Sequence, residues 1–318
     1  MWYQTFFRKI VFLLIIGTSS ALLNQCILPP PVCPNANVTF FLYTRANKDN
    51  PHQLFALDPQ SITSAPFVKD APIKIIIHGY TKDKDSIPNT LLRPAYMECC
   101  DYNLISVDYG PLARSPCYIQ AVDNTQLVAN CTAQLVNVLV QDYGFDLSKF
   151  HVIGFSLGGQ IAGIMANFMT SGRLERVTGL DPAFPLFTTL DNSKKLDSGD
   201  AKFVDVLHTN ALQAGKLEPS GTVDFYANDG SVQPGCTNIS LDNSKCSRSH
   251  DRAPMYYAES INTQTGFYAK KCSSLLAYTT GLCGSEEILF GEYVPLNAKD
   301  IYLFTTNSMS PYARGRIK

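Results

Sequence analysis

The segment that most constrains this chain is Gly154-Phe155-Ser156-Leu157-Gly158, in which a glycine lies two positions before and two positions after a serine. The preceding run, Phe150 to Ile153, is apolar and has strand character, whereas Gly159 to Ala166 is typical of a helix that opens on small residues. A sharp turn between a strand and a helix needs such glycines and leaves the serine hydroxyl accessible. The segment therefore predicts a nucleophile elbow with Ser156 as a hydrolase nucleophile. The alternative is an ordinary glycine-rich strand–helix connection.

The N-terminal residues have the pattern of a secretory signal peptide, which we predict over residues 1–21. Arg8 and Lys9 precede an apolar run from Ile10 to Ile16, and small residues follow at Ser19 to Ala21. This apolar run is far shorter than the ~20 residues that span a bilayer. Ten cysteines and three Asn-x-Ser/Thr sequons agree with an oxidising export route. The sequence thus predicts a secreted, disulfide-bonded glycoprotein.

The rest of the chain, residues 22–318, is long enough for one large α/β domain with a substantial core, and no linker divides it. The formal net charge is −1 and basic residues do not cluster. This charge balance argues against a nucleic-acid partner and against purely electrostatic docking on anionic membranes.

Short, continuous apolar runs rich in β-branched residues predict strands that are buried on both faces of a sheet. These runs are Ile73 to Ile77, Leu104 to Val107, Phe150 to Ile153, Val177 to Leu180 and Phe203 to Leu207. An apolar face predicts a helix over Asn124 to Tyr143, closed by Gly144. Alternating strands and helices favour a doubly wound, mostly parallel sheet. Beyond Cys236, runs such as Tyr302 to Phe304 predict antiparallel edge strands of the same domain.

A serine hydroxyl is a poor nucleophile near neutral pH, so it needs a histidine that accepts its proton and a carboxylate that orients the histidine. In α/β-hydrolases the chain order is serine, acid, histidine. Three of the five histidines precede Ser156, which leaves His208 and His250. His208 ends a predicted strand, where a structural histidine is the simpler interpretation. His250 lies in a polar loop, where catalytic histidines usually occur, so we predict His250 as the base.

The acid is predicted from its position at the end of a strand. Asp181 follows the strand after the elbow, and working residues of such folds lie beyond the carboxyl ends of strands. Asp181-Pro182 can also be a simple turn opener, and the rival carboxylate Asp205 lies within a strand. We predict Asp181.

A tetrahedral intermediate needs backbone N–H donors aimed at its oxyanion. One should be the N–H of Leu157, directly after the nucleophile, and the other should come from the loop after an earlier strand. Ile77-His78-Gly79-Tyr80 is a buried strand that runs into such a loop, so we predict the N–H of Tyr80 as the second donor. The alternative for His78-Gly79 is an ordinary strand exit.

Seven motifs together resemble the pancreatic lipase family of the α/β-hydrolase superfamily, and the likeness runs from about Cys33 to the C-terminus. They are Ile77-His78-Gly79-Tyr80, Val107-Asp108-Tyr109, Gly154-Phe155-Ser156-Leu157-Gly158-Gly159, Gly179-Leu180-Asp181-Pro182-Ala183, Val206-Leu207-His208-Thr209, Val223-Asp224-Phe225-Tyr226 and Pro234-Gly235-Cys236. The resemblance implies an α/β-hydrolase fold and a triad of Ser156, Asp181 and His250. It also implies oxyanion donors at Tyr80 and Leu157.

Within that family, Cys236 and Cys246 resemble the pair that brackets the lid, and only nine residues lie between them. This segment is mostly polar and carries a sequon, and Asn210 to Thr222 is also short. Such trimming resembles the insect lipases and venom phospholipases A1. A short polar lid cannot form an apolar face. We therefore expect an open pocket and phospholipase A1 activity at a lipid interface, on phospholipid or acylglycerol.

Other interpretations of the same resemblance remain open. A triacylglycerol lipase or galactolipase is the first alternative, and a non-catalytic, yolk-type lipid-binding protein is the second, since some family members lack the serine. The chain ends at Lys318 without the C-terminal β-sandwich with which pancreatic lipase binds colipase, so we expect no colipase partner and no such domain.

The resemblance also implies a structural calcium, although no cofactor is required for the chemistry. Asp197 and Asp200, with the backbone carbonyls of Asn192 and Lys195, match the positions of the calcium ligands in the family. The alternative is a pair of aspartates in a solvated turn.

Three disulfide pairs are implied by the resemblance: Cys236–Cys246, Cys272–Cys283 and Cys33–Cys117. The remaining cysteines, Cys26, Cys99, Cys100 and Cys131, allow three connectivities that the sequence does not decide.

Overall fold

The computed structural model describes residues 26–236 and 249–316, and a single sheet runs through them. Its strands are β1 (Thr39–Tyr43), β2 (His52–Leu54), β3 (Ile73–Ile77), β4 (Asn103–Asp108), β5 (Phe150–Phe155), β6 (Leu174–Leu180), β7 (Ala201–His208), β8 (Val223–Ala227), β9 (Phe267–Lys271), β10 (Glu287–Phe290) and β11 (Asp300–Phe304). Their spatial order is β10-β9-β11-β8-β7-β6-β5-β3-β4-β1-β2. From β4 to β11 all neighbours are parallel, and the antiparallel pairs lie at the two margins.

Helices cover both faces of this sheet. The α-helices of the described residues are α1 (Pro59–Thr63), α2 (Asn89–Cys99), α3 (Tyr118–Asp123), α4 (Thr125–Gln141), α5 (Leu157–Ile164), α6 (Arg252–Asn262) and α7 (Leu275–Thr279). Buried side chains of α4 and α5 belong to one hydrophobic core, and those of α2 and α6 belong to a second core. The predicted doubly wound, mostly parallel sheet of an α/β-hydrolase is therefore confirmed. No helix in the described part of the chain is long and apolar enough to cross a membrane.

The five strands predicted from apolar runs are β3 to β7, and four of them, β4 to β7, extend beyond the predicted bounds. β6 begins at Leu174 rather than Val177, because the buried Arg176 interrupts the apolar run but is paired within the fold. The predicted helix is α4, and Gly144 beyond it has the left-handed φ of 71°.

The prediction for Tyr302 to Phe304 was partly wrong. This segment is β11, which pairs antiparallel with β9 but parallel with β8, so it lies inside the sheet and not at its edge. Strands β9 and β10 are antiparallel, as expected of that region.

The disulfides correct one implied pair. Cys33 bonds to Cys131 and Cys26 bonds to Cys117, so the predicted Cys33–Cys117 bridge is wrong. The Cα atoms of Cys33 and Cys131, the latter on α4, lie 5.1 Å apart, and those of Cys26 and Cys117 lie 5.4 Å apart, both within the usual range for a bridge. Cys272–Cys283 is confirmed.

The other four cysteines are Cys99, Cys100, Cys236 and Cys246. Cys99 and Cys100, at the end of α2, are free thiols. Cys236 forms a disulfide, and its predicted partner Cys246 lies outside the described residues.

A buried ionic network lies near the N-terminal ends of the parallel strands β3, β5 and β6. Lys74, His151 and Arg176 are in register across β3, β5 and β6. The Nζ of Lys74 donates to Glu292 Oε1 at 2.5 Å, and Arg176 makes two hydrogen bonds to Asp205, of 2.8 and 2.9 Å. Burial opposes the charge of Glu292, but the charges of Lys74 and Arg176 hold its pKa below the usual value. Burial, together with the charges of Lys74 and Arg176, lowers the pKa of His151, so this ring stays neutral.

Candidate active site

Ser156 occupies a sharp turn between the last residue of β5 and the first residue of α5. Its φ of 58° and ψ of −120° lie outside the regions that side chains favour. Two glycines permit this turn. A Cβ on Gly154 would lie 2.6 Å from the nitrogen of Gly159, and a Cβ on Gly158 would lie 2.5 Å from the carbonyl oxygen of His78. The close approach of backbone on both sides therefore requires glycine at both positions.

Asp181 directly follows β6, and the structure brings it together with His250. His250 Nδ1 donates to Asp181 Oδ2 at 2.5 Å, since a carboxylate can only accept. The other oxygen, Oδ1, accepts from the N–H of Thr209 at 2.8 Å and from the N–H of Asn210 at 3.1 Å. Three donors thus hold a fully buried carboxylate. With Nδ1 committed to Asp181, Nε2 is the nitrogen of His250 that remains for proton transfer.

Ser156 and His250 are both nearly buried, with 9% and 8% of their surface exposed. The ring of His250 packs on the ring of Phe155, the residue before the serine, with centroids 4.5 Å apart. Among the described residues Ser156 Oγ makes no hydrogen bond. Hydrogen bonds of this kind are often long without substrate and tighten when it binds.

The loop after β3, which carries Tyr80, passes close to Ser156. A Cβ on Gly79, the residue before Tyr80, would lie 3.4 Å from Ser156 Oγ. Leu157 is the first residue of α5, where backbone N–H groups have no intrahelical acceptor. Within the described part of the chain, neither the N–H of Tyr80 nor that of Leu157 donates a hydrogen bond.

His78 and Tyr109 support this loop. Their supporting role was not predicted from the sequence. Their rings stack with centroids 4.1 Å apart, and His78 Nε2 accepts from the N–H of Tyr109 at 3.1 Å. The hydroxyl of Tyr109 donates to the carbonyl oxygen of His78 at 2.6 Å. The sequence did carry one signal of this contact. Two of the family motifs lie at the carboxyl ends of the adjacent parallel strands β3 and β4, namely Ile77-His78-Gly79-Tyr80 and Val107-Asp108-Tyr109.

The rival residues have other partners. His208 is buried, its Nε2 lies 2.9 Å from Asp224 Oδ1, and its Nδ1 lies 2.8 Å from the carbonyl oxygen of Lys216. Asp205 accepts both hydrogen bonds from Arg176. Both residues therefore hold the fold, as the simpler interpretation of His208 suggested.

The residues suggested for calcium lie in the connection between β6 and β7. Asp200 Oδ2 accepts from the N–H of Asp197 at 2.7 Å, and the carbonyl oxygen of Asn192 accepts from the N–H of Lys195 at 3.3 Å. Burial and the charge of Asp197 raise the pKa of Asp200 to about 7. A cation would relieve that unfavourable charge, so the carboxylates fit a hard cation.

Of the four suggested ligands, only Asp197 and Asp200 would supply carboxylates to a metal. In the described ranges no cluster of three or more His, Cys, Asp or Glu side chains could hold a metal, so backbone carbonyls would have to complete the shell. A cavity of about 450 Å³ borders Asn192, Lys195 and Asp197. The predicted lid between Cys236 and Cys246 lies outside the described residues.

A parallel sheet with a serine on the turn after β5, and a buried Asp–His pair beyond the following strands, defines a chain of the α/β-hydrolase class. A family profile described as "Lipase" matches residues 25–288. The chain therefore belongs to the lipase family, in which its curated relatives are pancreatic lipases.

Three curated relatives illustrate the likeness. Pancreatic triacylglycerol lipase of Sus scrofa is 36% identical over 271 residues, which cover 78% of this chain and 59% of the relative. Pancreatic lipase-related protein 3 of Homo sapiens is 32% identical over 315 residues, covering 89% and 66%. Inactive pancreatic lipase-related protein 1 of Homo sapiens is 34% identical over 264 residues, covering 77% and 56%. The chain thus spans less than two thirds of the length of these relatives.

Proposed function

We propose that this protein is a secreted serine carboxylic ester hydrolase that acts on glycerolipids. The observation that carries the proposal is the 2.5 Å hydrogen bond between His250 and Asp181 beside a serine held at a φ of 58°. Backbone strain of this kind is concentrated at functional sites of proteins. Membership of the lipase family supports an ester substrate, and the disulfides support an extracellular location.

The proposed chemistry proceeds in two halves. Ser156 Oγ attacks the carbonyl carbon of the acyl ester while His250 Nε2 accepts the hydroxyl proton. Asp181 stabilises the imidazolium that forms. His250 then gives the proton to the departing glycerolipid oxygen, which leaves an acyl-serine. A water molecule, deprotonated by His250, then attacks the acyl-serine, and the fatty acid is released as Ser156 regains its proton.

The N–H groups of Tyr80 and Leu157 would stabilise the negative oxygen of each tetrahedral intermediate. Loss of a single donor of this kind costs about 10²- to 10³-fold in kcat. Stacking of His78 on Tyr109 keeps the Tyr80 loop in place before substrate arrives. Such preorganisation avoids the cost of ordering the loop during the reaction.

For the substrate we propose phospholipid, cleaved at the sn-1 ester as by a phospholipase A1. The support is the polar, nine-residue segment between Cys236 and Cys246, which has too little apolar surface to close over the site. A wider opening accommodates a polar head group. The second candidate is a triacylglycerol lipase, which the names of the curated relatives favour; a galactolipase is a third.

A non-catalytic lipid-binding protein is the alternative from another class, and one relative is named inactive. Hydrolysis of a short p-nitrophenyl ester by the wild type, lost in Ser156→Ala, separates an enzyme from a binder. Positional analysis of the fatty acids released from a mixed-chain phosphatidylcholine and from a triacylglycerol then decides the substrate. Release from the sn-2 position of phosphatidylcholine, or from triacylglycerol alone, would contradict phospholipase A1 activity.

We also propose a structural calcium at Asp197 and Asp200, completed by the carbonyls of Asn192 and Lys195. Calcium would neutralise the buried charge of Asp200 and stabilise the connection between β6 and β7. The ester chemistry itself requires no cofactor, and the charge balance leads us to expect no nucleic-acid partner.

A further inference from the structure

Gln233 lies along the chain between β8 and the proposed base, and every polar atom of its side chain has a partner. It is 1% exposed, and its Nε2 donates to the carbonyl oxygens of Thr209 at 3.0 Å and Ala227 at 2.8 Å. Its Oε1 accepts from Asn228 Nδ2 at 2.8 Å and from the hydroxyl of Tyr256 at 3.2 Å. An amide can donate two hydrogen bonds and accept two, so this side chain is held in a single orientation.

The contact with Thr209 reaches the proposed acid through one rigid group. The carbonyl oxygen of Thr209 and the N–H of Asn210 belong to the same planar peptide unit. Gln233 binds the oxygen of this unit, and the N–H donates to Asp181 Oδ1 at 3.1 Å. The N–H of Thr209 donates to the same carboxylate oxygen at 2.8 Å. Because the peptide unit is planar, fixing its oxygen also aims its N–H at the carboxylate.

The backbone of Gln233 makes a second link, to the proposed base. Its N–H donates to Ser249 Oγ at 2.9 Å, and Ser249 is 2% exposed. Ser249 directly precedes His250 in a short helical turn that leads into α6. A buried backbone N–H needs an acceptor, so this bond keeps the turn against Gln233. One residue thus binds both a group that holds Asp181 and the residue that precedes His250.

Neither link touches the reacting atoms. Among the residues that the structure describes, Gln233 makes no hydrogen bond to any member of the proposed triad, and its burial keeps it away from a bound substrate. The hydrogen bond of 2.5 Å between His250 and Asp181 nevertheless depends on how the two side chains are placed, because such bonds weaken steeply with distance and angle. Gln233 can therefore affect the chemistry only through the positions of other residues.

We propose that Gln233 is a positioning residue of the candidate active site. It fixes Asp181 through the peptide unit that follows Thr209. It fixes His250 through Ser249, so that the hydrogen bond between acid and base keeps its geometry. This inference rests on the proposed function, because the positioning serves catalysis only if these side chains belong to a triad.

Removal of the amide tests this role. Gln233→Met keeps the length of the side chain and removes its four hydrogen bonds. We expect kcat on a soluble p-nitrophenyl ester to fall about 10²-fold, the loss that follows a misplacement of about 1 Å. KM should change little, because Gln233 does not contact the substrate. A glutamine that only supports the fold would lower the Tm and leave kcat unchanged.

Asn103→Leu is the matched control. Asn103 is also 1% exposed, and its Nδ2 also donates to two carbonyl oxygens, those of Val68 at 2.9 Å and Ala71 at 3.4 Å. It is the first residue of β4, so it lies at the edge of the sheet opposite to the candidate site. We expect this variant to lower the Tm as well, but to keep kcat within about threefold of the wild type.

A second measurement reports the placement of the base without turnover. The proton on His250 Nδ1, in its 2.5 Å hydrogen bond to Asp181, should give a strongly downfield NMR resonance, which is assigned by its loss in His250→Ala. We expect this resonance to shift or vanish in Gln233→Met and to persist in Asn103→Leu. If circular dichroism shows that Gln233→Met does not fold, Ser249→Ala replaces it, since that change removes only the acceptor of the Gln233 N–H. Its kcat should fall about tenfold, with a shifted resonance.

A folded Gln233→Met variant that keeps both the resonance and the kcat of the wild type would overturn the proposal. An equal loss of kcat in Asn103→Leu would also overturn it, because turnover would then follow stability and not position. Where Ser249→Ala replaces the first variant, an unchanged kcat and resonance have the same meaning. Failure of the proposed function is distinguishable, since the wild type would then hydrolyse no ester while the resonance still responds to Gln233→Met.

Discussion

Gly215 lies against the carboxylate of Asp181, and one added methyl group there tests the proposed triad without changing any of its members. A Cβ on Gly215 would lie 2.5 Å from Oδ2 and closer still to Oδ1 and Cγ. Non-bonded carbon and oxygen atoms pack at roughly 3.5 Å. In Gly215→Ala the carboxylate must therefore move by about 1 Å, since backbone hydrogen bonds fix the loop that carries the methyl group.

The expected loss follows from the geometry of that carboxylate. Oδ2 holds His250 at 2.5 Å, and Oδ1 is held by two N–H groups, so a displacement of this size breaks at least one of these bonds. A misplacement of about 1 Å can cost 10²-fold, and loss of the orienting acid costs about 10⁴-fold. We expect kcat to fall by about 10²- to 10⁴-fold, or ~3–5 kcal/mol in the barrier. KM should change little, because Asp181 does not contact the substrate.

The assay is steady-state hydrolysis of a soluble p-nitrophenyl ester, with circular dichroism and thermal unfolding to establish that the variant is folded. Overpacking should lower the stability by about 1–3 kcal/mol. Gly284→Ala is the matched control, because the nearest atom to its Cβ would be the carbonyl oxygen of Lys271 at 3.8 Å. A folded Gly215→Ala variant that keeps its kcat within about threefold of the wild type would refute the role of Asp181 as the orienting acid.

Four further predictions follow from the same structure. Ser156→Ala and His250→Ala should each abolish turnover, and the double variant should be scarcely worse, as kinetics of all three will show. Phosphatidylcholine should be cleaved faster than emulsified triacylglycerol, and activity on soluble esters should rise through the solubility limit without a jump; interfacial activation would contradict this. The raised pKa of Asp200, about 7, favours a bound proton in the folded state, so this carboxyl supports stability at low pH and loses that contribution as pH rises through 7. Calcium should replace the proton and raise the Tm more at pH 8 than at pH 5, by calorimetry. Glu292→Gln, which leaves Lys74 without its counter-ion, should lower the free energy of unfolding by about 3–5 kcal/mol in urea titrations, and an unchanged midpoint would contradict it.

Sequence patterns predict the central strands, and they also predict that the candidate site residues lie at one edge of the sheet. Both predictions rest on patterns of neighbouring residues that recur along the chain. Continuous β-branched runs require burial on both faces, and parallel strands must all end at the same edge. Ser156 and Asp181 follow two such strands directly. His250 could be selected only by elimination, since the packing of its ring on Phe155 joins residues that are distant along the chain.

The disulfide pairing could not be predicted, because the alternatives differ little in chain entropy. Cys26–Cys117 closes 91 residues and Cys33–Cys131 closes 98, and the cost of closure varies only with the logarithm of such lengths. Only the placement of Cys131 on the buried side of α4 decides the pairing. The supporting role of Tyr109 was equally hidden, since a buried tyrosine after a strand is usually a core residue.

The same strands carry the candidate site at one end and the buried ionic network at the other, which explains how strained residues are held in place. Ser156 and Asp181 have φ values of 58° and 44°, and each such residue costs about 1–3 kcal/mol. Below them, His151 on β5 and Arg176 on β6 are fixed by hydrogen bonds to Thr178 and Asp205. A strand that cannot slide or rotate at its buried end delivers its last residue at a defined position. The strain at the carboxyl edge can therefore persist, because relieving it would require the paired charges beneath the sheet to move together.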